Sequence, residues 1–212
     1  MQYKPNLSGK SIEFILSKDF HLGLFLILFA LIFRIFTYFP TVIDHDESTY
    51  IVIANALLNG KTYWVDVIDT KPVGIFLIFG LLQKVFGYAI LPIRIFTSVV
   101  IGFTGFLTVK SLRLFSGKTR NTWVAGIIYI LITSMYTFNG LGPNTEIFFN
   151  LFTILSFYLL LKQRGPLVIF LAGCIIGAGF IIKPVVLMDC CTLSRISPAL
   201  EEPSAFSSIS LA

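Results

Sequence analysis

Apolar positions along this chain are grouped into long blocks, and most of the charged positions fall between them. LGLFLILFALIF opens the first block at 22–33, with a single Arg34 before Pro40, and further blocks cover 72–83, 88–109, 122–138, 147–161 and 165–182. A membrane-spanning helix needs about 20 residues. The block PVGIFLIFGLLQ, from Pro72 to Gln83, stops at Lys84 and has the length of an interfacial or re-entrant helix.

The charges support the same division. If 72–83 crossed a membrane, the loop holding Lys110, Arg113, Lys118 and Arg120 would share a side with the acidic loop after the first block. That would oppose the tendency of Lys and Arg to stay cytoplasmic. With 72–86 at the surface instead, Lys4, Lys10 and Lys18 fall on the same side as that cluster and as Lys162 and Arg164. The pattern predicts an all-α polytopic integral membrane bundle of about five spans, near 21–39, 91–110, 122–139, 146–161 and 165–182, plus one membrane-surface helix in the first outer loop. The expected location is the inner or plasma membrane, multi-pass, with a cytoplasmic N-terminus. A secretory signal shares the basic start and the apolar run, but no small-x-small cleavage site follows Phe39.

Composition agrees. Of 212 residues, 56% are hydrophobic and 13% charged, against roughly 25% charged in an ordinary soluble domain. The mean hydropathy is +0.86. Such a chain is neither water-soluble nor disordered. The net charge of +5 is distributed as membrane topology, so no nucleic-acid partner is expected. Cys174 sits in an apolar run, and the adjacent Cys190 and Cys191 fit neither a metal-ligand spacing nor an ordinary bridge. After residue 188 the character changes to DCCTLSRISPALEEPSAFSSISLA. The expected division is a membrane domain at 1–188, with its outer loop at 40–90, and a polar tail at 189–212 that reads either as natural or as an aberrant, frameshifted end.

The outer loop gathers Asp44, Asp46, Glu47, Asp66 and Asp69 beside the membrane. Asp46 and Glu47 precede a helical pattern in Tyr50, Ile51, Ala54 and Leu57 that closes at Asn59-Gly60. Acids at a helix start cap free N–H groups and complement the dipole. One acid would suffice for that. Asp44, His45, Asp46 and Glu47 in succession are expected to repel one another and raise at least one pKa, which tunes a general base toward neutral pH. Asp44, Asp46 and Glu47 also offer oxygen ligands to a divalent cation. Lys71, held extended before Pro72, faces headgroup phosphates or simply snorkels. Arg94 and Glu146 open two spans from the outer side, where ionisable groups are functional candidates or structural ion pairs.

These residues together carry a resemblance. A first span ending in an acidic loop, Asp46-Glu47 followed by Tyr50, Gly60, Lys71-Pro72, an apolar surface helix and Arg94, resembles the GT-C membrane glycosyltransferases. The likeness is to the glycosyltransferase family 39 and aminoarabinose-transferase group, which includes the protein O-mannosyltransferases, and it runs from about Leu22 to Pro184. It implies transfer of a sugar from a polyprenyl-phosphate donor to a protein, lipid or glycan acceptor at the outer membrane face, with inversion. It implies catalytic roles for Asp46 and Glu47 and donor-phosphate contacts for Lys71 and Arg94. Asp44, His45, Tyr50, Glu146 and Lys183 would support them. Members of the group usually continue with further spans and an outer C-terminal domain, so an N-terminal part of such an enzyme is expected. The alternative from another class is a non-catalytic membrane subunit or a transporter, which would place ionisable groups near mid-membrane on broken helices.

Overall fold

A computed structural model describes residues 9–41, 43–117, 121–135, 141–163 and 165–188. The expected tail at 189–212 lies outside the described residues, as do Lys4, Lys118, Arg120 and Arg164. Every regular element among the described residues is helical. In chain order these are α1 (Gly9–Phe33), a short 3-10 turn at Ile35–Tyr38, α2 (His45–Leu58), α3 (Gly74–Phe86), α4 (Ile90–Ser116), α5 (Trp123–Thr133), α6 (Thr145–Lys162) and α7 (Pro166–Ile182).

Local sequence accounts for the ends of several elements. Asp44 is extended and its side chain accepts from the Asp46 N–H, starting α2. Asn59 and Gly60, the latter at φ +82°, stop it. Gly117 closes α4 in the left-handed conformation that costs glycine least. Pro166 occupies the first turn of α7, where its missing N–H is no loss.

The long helix α4 is the centre of the bundle, with α1, α5 and α6 packed along it and α7 against α6. Small residues set the close crossings. A Cβ on Gly102 would lie 2.6 Å from the Ile27 Cα, so α1 and α4 meet backbone to backbone. Leu26, Ala30, Ile101, Val109 and Ile130 fill the core between α1, α4 and α5. Ser156 of α6 donates to the Ala172 carbonyl of α7 at 3.1 Å.

Helices α2 and α3 form a hairpin at one end of this bundle. Gln83 of α3 donates to the Ile51 carbonyl of α2 at 3.1 Å, and Tyr50 packs edge-on against Phe76 and Phe79. Helix α3 has 13 residues, matching the short block read from the sequence. A Cβ on Gly74 would fall 2.5 Å from the Ile181 carbonyl oxygen, so the start of α3 rests directly on the end of α7.

Among the described residues, two helices, α4 and α6, are long and apolar enough to cross a membrane by themselves. Helix α5 covers 11 residues, a rise of about 16 Å, and is shorter than the span expected at 122–139. The first helix begins earlier than expected, at Gly9, and gives way to the 3-10 turn after Phe33.

Candidate functional site

Charged side chains collect at the two ends of the bundle. At one end Asp19 of α1 accepts from Lys110 and, at 3.1 Å, from Arg113 of α4, and Arg113 Nε donates to Thr122 Oγ1 at 2.9 Å. At the other end stand Arg34, Asp46, Glu47, Lys71, Arg94, Glu146 and Lys183. Between Arg94 and Lys110 the helix α4 carries no charged residue, over a rise of about 24 Å.

Glu47 and Arg94 form the anchor of the second end. Both side chains are almost wholly buried, at 1% and 2% exposure. Arg94 Nε and Nη2 donate to the two Glu47 carboxylate oxygens at 2.8 and 2.7 Å, and Nη1 donates to the carbonyls of Thr37 and Pro40. One guanidinium thus holds the first turn of α2 and the chain leaving α1. The bidentate fork is a geometry that arginine provides and lysine cannot. The expectation that Arg94 meets a donor phosphate is corrected by this geometry, because the side chain is 2% exposed and four of its five N–H donors are engaged inside the protein. Glu47 is likewise enclosed, away from any surface that a substrate could reach.

Asp46, one residue earlier, points elsewhere, because neighbours on a helix are rotated by about 100°. Its Oδ2 accepts from Lys71 Nζ at 3.2 Å and from the Tyr50 hydroxyl at 3.1 Å. This pair is open to the surroundings, with 40% of the Asp46 side chain and 26% of the Lys71 side chain exposed. Lys71 also lies 5.9 Å from the Tyr50 ring centroid. Burial of the phenol, and then the adjacent Asp46 carboxylate, raise the Tyr50 pKa far above the ordinary tyrosine value. The hydroxyl is therefore a constant donor to Asp46. Lys71 is placed by its own loop, with its N–H on Asp69 Oδ1 at 2.8 Å and its carbonyl receiving the Tyr63 hydroxyl. Burial and the Asp69 charge also raise the Tyr63 pKa.

Asp44 serves as the α2 cap, and a Cβ on Gly142 would be 3.1 Å from the Asp44 Cβ, so the 141–144 segment presses against it. His45 is exposed at the start of α2, where its carbonyl accepts from Thr49 Oγ1 at 3.1 Å. The acids expected to crowd one another are thus each given a separate task. Asp44, Asp46 and Glu47 share no common point, and no group of three His, Cys, Asp or Glu among the described residues could hold a metal. The divalent-cation expectation is corrected on that ground.

Glu146, at the start of α6, accepts from Lys183 at the end of α7. The Gly74 contact with Ile181 and Ile182 brings the Lys71 loop alongside this second ion pair. The sequence reading assigned Arg34 no role. It is 1% exposed, and its Nη2 donates to the Leu141 carbonyl at 2.7 Å, tying α1 to the segment before α6. A lone arginine in an otherwise uncharged apolar block was the signal that could have marked it.

In comparisons with known proteins, no family model matches the sequence, no curated protein matches it, and no solved structure matches the fold. A functional reading therefore stands on the residues and their arrangement.

Proposed function

We propose that the chain is the membrane-embedded part of a GT-C-type glycosyltransferase, moving a sugar from a polyprenyl-phosphate carrier to an acceptor at the outer membrane face. The observation that carries this reading is the partly exposed Asp46–Lys71 pair at one edge of a charge-free band. Several features support the membrane setting. The band on α4 is about 24 Å deep, near the roughly 30 Å of a bilayer core once lysine and arginine snorkel. Large apolar side chains face outward around it, among them Leu24, Leu28 and Ile32 of α1, Phe103 of α4, Ile128 of α5 and Phe180 of α7. Only 28% of the apolar window of α6 is buried inside the protein. In this reading α1, α4, α5, α6 and α7 are the five membrane segments, with α5 the shortest, and the Lys110–Arg113 end is cytoplasmic.

The chemistry follows from the separation of roles. Asp46 is the one carboxylate of α2's first turn that is both exposed and beside a cation, so it orients or deprotonates the acceptor for attack on the anomeric carbon. Negative charge develops on the departing polyprenyl phosphate, and the Lys71 ammonium is placed to stabilise it. Glu47 and Arg94 act on neither substrate; they hold α2 so that Asp46 stays in register with Lys71. Tyr50 supplies a fixed hydrogen bond to Asp46. Glu146 and Lys183 form a second acid–cation pair on the same side.

A transporter reading is disfavoured by the absence of charge along α4 between Arg94 and Lys110. The test uses the chain in vesicles with labelled polyprenyl phosphate and its sugar-linked form. Lys71→Met is expected to reduce retention of the labelled carrier. Asp46→Asn is expected to lower sugar transfer by at least ~100-fold. Transfer by Asp46→Asn at the unmodified rate would end the assignment of Asp46.

A further inference from the structure

The connection between α2 and α3 contains a tight turn whose apolar side chains point away from the protein. Thr62 N–H donates to Asp66 Oδ2 at 2.7 Å, Asp66 N–H to the Thr62 carbonyl at 2.9 Å, and Trp64 N–H to the Val67 carbonyl at 2.8 Å. These bonds hold Trp64 at φ 69°, a left-handed conformation that is a genuine outlier for a bulky residue. The result is an outward tip: Trp64 is 61% exposed, Val65 80% and Ile68 70%. Burial cannot explain three such side chains on a turn fixed by hydrogen bonds.

The tip is mechanically linked to the candidate site. Tyr63 packs against Trp64 with ring centroids 4.9 Å apart and against Phe76 of α3 at 5.3 Å. Its hydroxyl donates to the carbonyls of Lys71 and Asp69. On α3 itself, Leu77, Leu81 and Val85 are exposed at successive turns. The turn lies at the same end of the bundle as Glu47, Arg94 and Glu146, where the charge-free band stops. Trp and Tyr favour the boundary between headgroups and acyl chains.

We propose that the 62–68 turn is a membrane anchor whose Trp64, Val65 and Ile68 enter the headgroup–acyl boundary of the outer leaflet, with Tyr63 fixing the depth of Lys71 relative to that boundary. The partner is the lipid surface itself, identified by the mixture of one indole, two aliphatic side chains and the flanking polar Thr62 and Asp66 at the end of the bundle where the charge-free stretch of α4 stops. This inference rests on the membrane setting proposed above, not on the glycosyl-transfer chemistry.

The chain has two tryptophans, so Trp123→Phe leaves Trp64 as sole reporter. The variant is reconstituted in phosphatidylcholine vesicles brominated either near the head or near the methyl end of the acyl chains. Trp64 emission is expected to be lost mostly to the shallow bromines, and to be insensitive to iodide added outside. Quenching by iodide without quenching by lipid would overturn the anchor. Protection from all quenchers, which would mean that protein covers the turn, would overturn it too. The Trp64→Phe variant separates this failure from a failure of the membrane reading. Trp123, 44% exposed at the start of α5, should respond to brominated lipid if the bundle is embedded. If Trp123 responds and Trp64 does not, the anchor alone is wrong; if neither responds, the membrane setting itself is wrong.

Discussion

Replacing Arg94 by Met tests whether the Glu47–Arg94 pair holds the site together. The change leaves the Glu47 carboxylate, 1% exposed, without its two guanidinium donors at 2.7 and 2.8 Å and with only the long Ile43 N–H contact at 3.5 Å. It also withdraws the donor from the Thr37 and Pro40 carbonyls. An uncompensated buried charge costs about 3–5 kcal/mol and an orphaned carbonyl about 1–3 kcal/mol, so the single variant should lose about 5 kcal/mol. Glu47→Leu leaves Arg94 with its two carbonyl acceptors and should lose about 3–4 kcal/mol. The double variant has no unpaired charge and should recover about 3 kcal/mol relative to Arg94→Met. Unfolding in mixed micelles by increasing dodecyl sulfate, followed by circular dichroism and tryptophan emission, measures all three. Costs that simply add within about 0.5 kcal/mol, or a loss below about 1 kcal/mol for Arg94→Met, would refute the buried-pair reasoning.

Two glycines of α3 should respond in opposite directions. Gly74→Ala forces a Cβ toward the Ile181 carbonyl and should cost about 1–3 kcal/mol, whereas the nearest atom to a Cβ on Gly80 is 3.9 Å away, so Gly80→Ala should be neutral or gain up to about 1 kcal/mol in helix propensity; the same dodecyl sulfate titration ranks them. Tyr50 gives a pH prediction. Its folded pKa is raised by burial first and by Asp46 next, so above the ordinary tyrosine value of about 10 the folded state retains a proton that the unfolded state has lost. Stability from this source is complete below that pH and declines as pH rises past it. Tyr50→Phe should flatten the alkaline decline, measured as the unfolding midpoint between about pH 9 and pH 11.

Much of the arrangement is legible in the sequence, for identifiable reasons. Block lengths and the position of Lys84 mark α3 as shorter than a span, although they do not foresee that α5 is shorter still, and Asp44 to Glu47 mark the start of α2, since both signals are local. The meeting of Lys71 with Asp46 spans 25 positions, and neither residue's neighbours predict it. The division of labour among the acids is not legible. A run of carboxylates looks like one cluster until helical rotation sends Asp46 and Glu47 in different directions, and the partner of Glu47 lies 47 residues away. The same limit hides Arg34, whose acceptor is 107 residues downstream, and the packing of Gly74 on α7, which depends on tertiary approach rather than on turn chemistry.

The Glu47–Arg94 pair also ties together two parts of the chain that are made at different times. As the chain is synthesised, the residues of α2 emerge before those of α4. Until Arg94 is available, the Glu47 charge is compensated by water rather than by the guanidinium. Water can be expelled from around the two charges only once both helices are in place, so the burial of Glu47 depends on α4, whereas the Asp46 contacts with Tyr50 and Lys71 use residues that precede it.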